Sequence, residues 1–232
     1  MTERGLPMTD LNRKAWRALA ALAVVMALLL FVPASTARYW QGWVYLTIFI
    51  LASALTTWYL MKMDPALLER RMSGGPTAEQ RPIQRIIMLG ASLSFIAMLV
   101  VPALEYRARG SSMPMPMNVL GDALVAIGFY LIFLVYRENT FSSATIEIAP
   151  EQTVISTGPY AIVRHPMYAS ASVYLIGTPL ALGSRWGFVP VAIMIPFLIW
   201  RLFDEERLLA KSLPGYTQYQ RRVRRRLIPF LW

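Results

Sequence analysis

The only histidine of this 232-residue chain, His165, stands in the run Gly158-Pro159-Tyr160-Ala161-Ile162-Val163-Arg164-His165-Pro166-Met167-Tyr168. An imidazole beside an arginine and between two tyrosines can hold an anion, move a proton or offer aromatic faces to a cation. The proline after His165 biases that residue away from α conformation, so the ring is presented from a turn and a helix can start behind it. Some forty residues on comes the only acidic triplet, Asp204-Glu205-Glu206, with Arg201 just before it. On a helix, Arg201 shares a face with Asp204 and with Glu205. A helix-end salt bridge would contribute little. Charges of both signs at the mouth of a hydrophobic hairpin instead suit a zwitterionic ligand. Arginine or backbone N–H groups can take a carboxylate, while a glutamate and aromatic faces take an ammonium or sulfonium. Tyr160 and Tyr168 could supply those faces or simply sit in an interfacial belt.

The elements that must position these groups are membrane helices. The chain is 56% hydrophobic and 16% charged, against about 25% charged in soluble domains. It has no cysteine, which excludes disulfides, thiolate zinc sites, iron–sulfur clusters and a cysteine nucleophile. One histidine excludes the many-histidine di-iron sites, and no metal is expected. Neither a dinucleotide-type glycine motif nor a P-loop occurs, so no Rossmann domain is indicated. The net charge of +10 points to anionic lipid headgroups rather than to nucleic acid in so apolar a chain.

Six apolar runs follow one another at 18–32, 44–61, 86–104, 119–136, 168–182 and 186–203. The first has the basic start and small-residue end of a signal peptide, but the charge distribution works only if it is retained. With the N-terminus inside, 19 of the 23 basic residues fall on inner segments, and Arg38, Arg107, Arg109 and Arg185 on outer turns. That bias puts both termini and both polar clusters on the cytoplasmic side. Tyr39, Trp40 and Trp43 at one end of run two, and Trp58 and Tyr59 at the other, read as aromatic belts. The Met113-Pro-Met-Pro-Met117 turn reads as a loop dipping into the interface. Within the long polar segment 137–167, residues 145–148 and 153–156 have a short extended pattern. Only Gly183-Ser184-Arg185 joins runs five and six, which predicts an antiparallel hairpin, and run five is short for a full span of about 20 residues. The tail reads as two short helices around Leu213-Pro214-Gly215. Its second half carries Arg221, Arg222, Arg224, Arg225 and Arg226 and ends in Ile228, Pro229, Phe230 and Trp232, a pattern for a helix on anionic lipid. The expectation is an all-α integral membrane protein of about six transmembrane helices plus a C-terminal interfacial amphipathic helix. Residues 1–136 form a four-span scaffold and 137–232 a ligand-binding core.

The ordered set Gly158-Pro-Tyr160, Arg164-His165-Pro166-Met167-Tyr168, apolar hairpin, Glu205-Glu206, Tyr216, Tyr219, Val223 and Pro229 resembles the isoprenylcysteine carboxyl methyltransferase and phospholipid methyltransferase superfamily, most closely its bacterial isoprenylcysteine carboxyl methyltransferase-like members. The likeness covers residues from about 139 to 232. Ala169-Ser170 depart from it, standing where the family often has a glycine. The resemblance implies an integral membrane enzyme, in a bacterial inner membrane, that uses S-adenosylmethionine without a Rossmann domain and methylates a lipophilic acceptor reaching the site from the bilayer. It implies that Thr153, Val154, Ile155 and Tyr160 line the cofactor. Arg164, His165, Pro166, Met167 and Tyr168 would wrap it, Glu205 would bind its polar end, and Arg201 would lie near an acceptor carboxylate.

Methyl transfer is an in-line displacement at a sulfonium carbon, so catalysis rests on alignment and exclusion of water. A carboxylate acceptor needs no base, and Arg201 would orient it; an amine or thiol needs deprotonation, for which His165 or Glu206 is the candidate. Two other readings stand beside this one. A membrane reductase related to sterol reductases would bind NADPH through Arg164 and the tail arginines. A non-catalytic scaffold or small transporter would bind neither cofactor. Apart from Asp122, runs one to four hold almost no ionisable residue, which speaks against transport.

Overall fold

The computed structural model describes residues 8–72, 74, 77–79, 81–145 and 151–229. It contains eight α-helices and, among the described residues, no strand. These are α1 (Met8–Ala34), α2 (Trp40–Met63), α3 (Pro65–Met72), α4 (Pro82–Arg109), α5 (Met115–Glu138), α6 (Pro166–Ala181), α7 (Phe188–Ser212) and α8 (Tyr216–Arg222). Four helices have proline at their first or second position, where its missing N–H costs nothing: Pro65, Pro82, Pro116 and Pro166. His165 accordingly caps α6 from outside the helix, as the His-Pro sequence predicts.

Four helices, α1, α2, α4 and α5, are long and apolar enough to cross a membrane. They run 24 to 28 residues, beyond the roughly 20 that a hydrocarbon core requires. Runs five and six do not join that group. With 16 residues α6 is about 24 Å long, and α7 carries Arg201, Asp204, Glu205 and Glu206 in its second half.

Nor do α6 and α7 form a closed hairpin. The chain's most extensive helix contact is between α5 and α6, and α7 packs mainly on α4. Glycines allow the first of these. A Cβ on Gly121 would stand 2.1 Å from the Ala181 nitrogen, and one on Gly128 2.6 Å from the Tyr174 Cβ. Gly121 and Gly128 are seven residues apart and so share a helix face, the small-residue seam that lets membrane helices approach closely. With α6 drawn to α5 and α7 to α4, a space is left between the four helices.

The two ends of the bundle are built differently. At one end, α1 and α2 meet α3 through buried Leu11, Ala15, Leu60, Met61, Leu67 and Leu68. At the other end, Tyr39 is fully buried rather than part of a belt, stacks on Tyr106 at 4.3 Å and donates to the Leu182 carbonyl at 2.6 Å. Trp40, Trp43 and Trp58 are exposed as expected.

The tail also differs from the expected pair of helices. α7 continues unbroken to Ser212, and Gly215 turns the chain with φ +85°, which a side chain would strain. α8 is only seven residues long. Arg224, Arg225 and Arg226 follow it as irregular chain. Residues 153–156 are likewise irregular, while 146–148, Phe230 and Trp232 lie outside the described residues.

Candidate functional site

The space between α4, α5, α6 and α7 is a cavity of about 580 Å³, within the range of small-molecule sites. It has two halves. Towards the end that holds α3, its wall is polar and aromatic, with Tyr160, Arg164, His165, Tyr168, Arg201 and Glu205. Deeper in the bundle the wall is apolar, formed by Ile87, Phe95, Ile132, Leu175, Met194 and Leu198. Ile96, 41% exposed, also belongs to this half.

The polar half is assembled from segments distant in sequence. The turn 158–165 is pinned by the tail. Arg164 N donates to the Arg225 carbonyl and His165 N to the Arg226 carbonyl, both at 2.9 Å. Arg164 Nη1 adds bonds to the carbonyls of Val223 (3.1 Å) and Arg224 (3.2 Å). The chain after α8 is therefore a strap across the His-Pro turn, which commits the backbone of these arginines to the site. Tyr219 reinforces it, donating to the Tyr160 carbonyl at 2.7 Å, and Asn139 Nδ2 donates to the Tyr160 hydroxyl at 2.7 Å. Burial pushes the phenols of Tyr160 and Tyr219 up, so both are neutral at physiological pH.

Adjacent glutamates on α7 point to different surroundings, since each helical residue turns about 100° from the last. Glu205 lines the cavity and accepts from the Tyr168 hydroxyl at 2.7 Å. Glu206 is buried behind the wall. It accepts from Arg164 Nε at 2.7 Å and Arg226 Nε at 3.0 Å, and His165 Nε2 lies 3.2 Å from the same carboxylate. Burial alone would raise its pKa. The hydrogen bonds from His165, Arg226 and Arg164 outweigh that and hold it down to about 2. A carboxylate so held is a structural anion that knits the His-Pro turn to the strap. Glu206, expected as one of two candidate bases, thus lies outside the cavity lining with its carboxylate on these partners.

Arg201 lines the cavity, but its charge is met by a residue outside the triplet. Nη1 lies 2.8 Å from Glu79 Oε1 and donates to Gln84 Oε1 at 2.9 Å, and Nη2 donates to the Ala144 carbonyl at 2.9 Å. Asp204 in turn takes both Arg81 nitrogens (2.6 and 2.8 Å) and Gln84. Glu79, Arg81 and Gln84, just before and at the start of α4, thus supply the side-chain partners of both.

The structure brings Thr153, Val154, Ile155, Tyr160, Arg164, His165, Pro166, Met167, Tyr168, Arg201 and Glu205 to one cavity wall and leaves Glu206 behind it. Sequence reasoning did not assign Asn139, Arg71 or Tyr216 to that wall. Tyr216 was visible as one of the spaced tyrosines of the tail. Nothing local marks Arg71, which stands over the Tyr136 ring at 5.2 Å and donates to the Ser143 carbonyl at 2.9 Å.

Helices long enough to cross a bilayer, around a cavity with a charged mouth and an apolar depth, mark an integral membrane protein with an internal cavity. Residues 117–214 match the family model described as phospholipid methyltransferase, the family of isoprenylcysteine carboxyl methyltransferase-like proteins. The matched segment runs from the start of α5 to the end of α7 and includes its acidic triplet. No curated protein matches the chain.

Proposed function

We propose that this protein transfers a methyl group from S-adenosylmethionine to a lipophilic acceptor that enters from the bilayer. One observation carries the reading: the charged and apolar halves belong to a single cavity, most of whose polar lining comes from the segment 117–214 that matches the phospholipid methyltransferase family model. A water-soluble zwitterion and a lipid-borne acceptor can meet there without either crossing the other's medium. The donor set fits the cofactor. Glu205 is an acceptor for an ammonium, Tyr160 and Tyr168 present aromatic surface to a sulfonium, and Arg164 faces the space from the His-Pro turn. The cofactor supplies a methyl group on a positively charged sulfur, ready for in-line attack.

The chain's own residues would bind, align and dry the site. Glu205 and the turn 164–168 hold the polar end, with the strap 223–226 closing over the turn from the aqueous side. The apolar wall of α4, α6 and α7 keeps water from the reacting centre, where displacement is aided by alignment rather than by acid or base. Arg201, held by Glu79, Gln84 and Ala144, is a rigid donor at the border of the two halves and would orient an acceptor carboxylate. With Glu206 spent on two arginines, only His165 is left of the two candidate bases for an amine or thiol acceptor. The basic excess on inner segments favours a cytoplasmic mouth, where the cofactor is available, and anionic lipid for the remaining tail arginines.

Calorimetric titration of the detergent-purified protein with S-adenosylhomocysteine and, separately, with NADP⁺ tests this. Binding of the first alone is the expected result. Binding of NADP⁺ alone would move the protein to the reductases, and binding of neither by folded protein would end the enzymatic reading.

A further inference from the structure

Apart from tyrosines, the ionisable side chains that line the cavity among the described residues are Arg71, Arg164, His165, Arg201 and Glu205. Most of them are matched. Arg164 and His165 lie on Glu206, Arg201 lies on Glu79, and Glu205 accepts from Tyr168. Arg71 differs: no carboxylate among the described residues stands within ion-pair distance of it. Its Nη1 donates to the Ser143 carbonyl at 2.9 Å, and its guanidinium stands over the Tyr136 ring at 5.2 Å. A guanidinium carries several N–H donors, so these contacts use only part of its capacity. Basic residues at the inner face of a membrane ordinarily sit in water or on lipid phosphates. Arg71 is instead part-buried on the wall of an internal cavity, where a cation without a counter-charge is a binding group for an anion.

Its place on that wall is fixed from two sides. α3, which ends one residue after Arg71, is held against the chain that follows α5. Asp64 accepts from Leu67 N at 2.9 Å and from the Thr140 hydroxyl, and Arg70 donates to the Thr140 carbonyl. Further along the same segment, Ser143 and Ala144 offer consecutive carbonyls, the first to Arg71 and the second to Arg201 Nη2. Guanidinium groups from α3 and α7 are thus tied to neighbouring peptide groups that themselves line the cavity. Arg201 brings hydrogen-bond donors there but no net charge, because Glu79 balances it. Arg71 brings the charge.

Resting on the methyltransferase reading above, we propose that Arg71 selects the acceptor by its headgroup: the acceptor is an amphiphile with an anionic oxyacid group, carboxylate or phosphate, which pairs with Arg71 while its chain occupies the apolar half. Arg71 lies outside the segment 117–214, so this selectivity is set by a part of the chain that the family model does not cover.

The test is calorimetric titration of detergent-purified protein, first with S-adenosylhomocysteine and then, saturated with it, with hexadecanoate, hexadecyl phosphate and neutral monohexadecanoylglycerol at mildly alkaline pH. Wild type should bind at least one anionic amphiphile about tenfold more tightly than the neutral one. Arg71→Gln should lose about tenfold for that anion while its affinities for the neutral amphiphile and for S-adenosylhomocysteine stay within about twofold, and Arg71→Lys, which keeps the charge, should recover part of the loss. Preference for hexadecanoate would make the acceptor a carboxylic acid, and preference for hexadecyl phosphate a phosphate-headed lipid. Wild type without an anion preference, or binding no anion, would overturn the proposal. So would an unchanged Arg71→Gln, or equal losses for anionic and neutral amphiphiles, since the latter makes Arg71 a packing residue. Absence of S-adenosylhomocysteine binding in the first titration would remove the methyltransferase reading, whereas binding there with no anion preference afterwards removes only the role of Arg71.

Discussion

The two ends of the helical bundle use polar groups in opposite ways. At the end where α6 turns into α7, they close the protein on itself. Tyr39 reaches the Leu182 carbonyl and Asn118 Nδ2 the Leu180 carbonyl (2.8 Å), and Ser112 N donates to the Gly183 carbonyl (2.9 Å). The buried Glu105 accepts from Ser184 and from Trp186 N. Gln41 Oε1 and Asp122 Oδ1 are buried there without hydrogen-bond partners among the described residues, but neither lines the cavity. At the other end, polar groups hold one another in a ring around a space. Arg164, Glu206 and Arg226 form one side of it and Glu79, Arg201 and Gln84 another. One end is a clamp and the other a receptacle, so substitutions at the two should separate stability from binding.

The sharpest separation is expected at the α5–α6 seam. In Gly121→Leu the new Cβ would meet backbone atoms of Leu180 and Ala181 at 2.6 and 2.1 Å, and backbone cannot turn aside as a side chain can. We expect a loss of about 3 kcal/mol, the upper end for overpacking, seen as a lower melting temperature with or without ligand. A wild-type melting curve would show that the seam is not close-packed. At the receptacle, Glu205→Gln should leave melting of the unliganded protein nearly unchanged and cut S-adenosylhomocysteine affinity about a hundredfold, as expected for losing a charge-assisted contact. A loss below about threefold would take Glu205 out of the site.

What the sequence made legible at this end was contiguous. The run 158–168 carries its own turn chemistry, and Pro166 both shapes His165 and starts α6. Arg201 and Glu205, four apart on a helix, do share the cavity face. Which glutamate of an adjacent pair faces inward is not local information, because the answer depends on where the strap 223–226 lies. Nor is the pairing of Arg201 with Glu79 or of Asp204 with Arg81, across more than 100 residues. The six apolar runs were legible as helices. Hydropathy did not reveal that α6 and α7 separate to pack on different neighbours, since the glycine spacing that draws α6 onto α5 acts only once the two helices meet.

The charge ring also gives the receptacle an acid-sensitivity that the clamp does not share through Glu206. The native carboxyl is depressed to about 2, below its ordinary value near 4.5. Its contribution is therefore complete above about pH 4.5 and is lost as pH falls from there through about 2. The amount is on the order of 2 kcal/mol after allowing for solvent screening. Wild-type protein should lose stability over this window, and Glu206→Gln, less stable at neutral pH, should lose less over the same window. Equal pH slopes for the two proteins in chemical denaturation would show that the ring does not hold the charge.

The smallest effect should come from the clamp. Tyr39→Phe keeps the ring stacked at 4.3 Å on Tyr106 and removes only the hydroxyl that reaches Leu182. The carbonyl left behind is buried, so the cost should be about 1 kcal/mol, that of a single net hydrogen bond. Because Leu182 follows the end of α6, on the opposite end of that helix from His165, and a packed helix transmits little of a lost side-chain bond, affinity for S-adenosylhomocysteine should stay within about twofold of wild type. Melting and titration of the same preparation check both halves. A variant that melts normally but binds several-fold more weakly would mean that the two ends are coupled along α6, and that closing the loop at one end helps to set the His-Pro turn at the other.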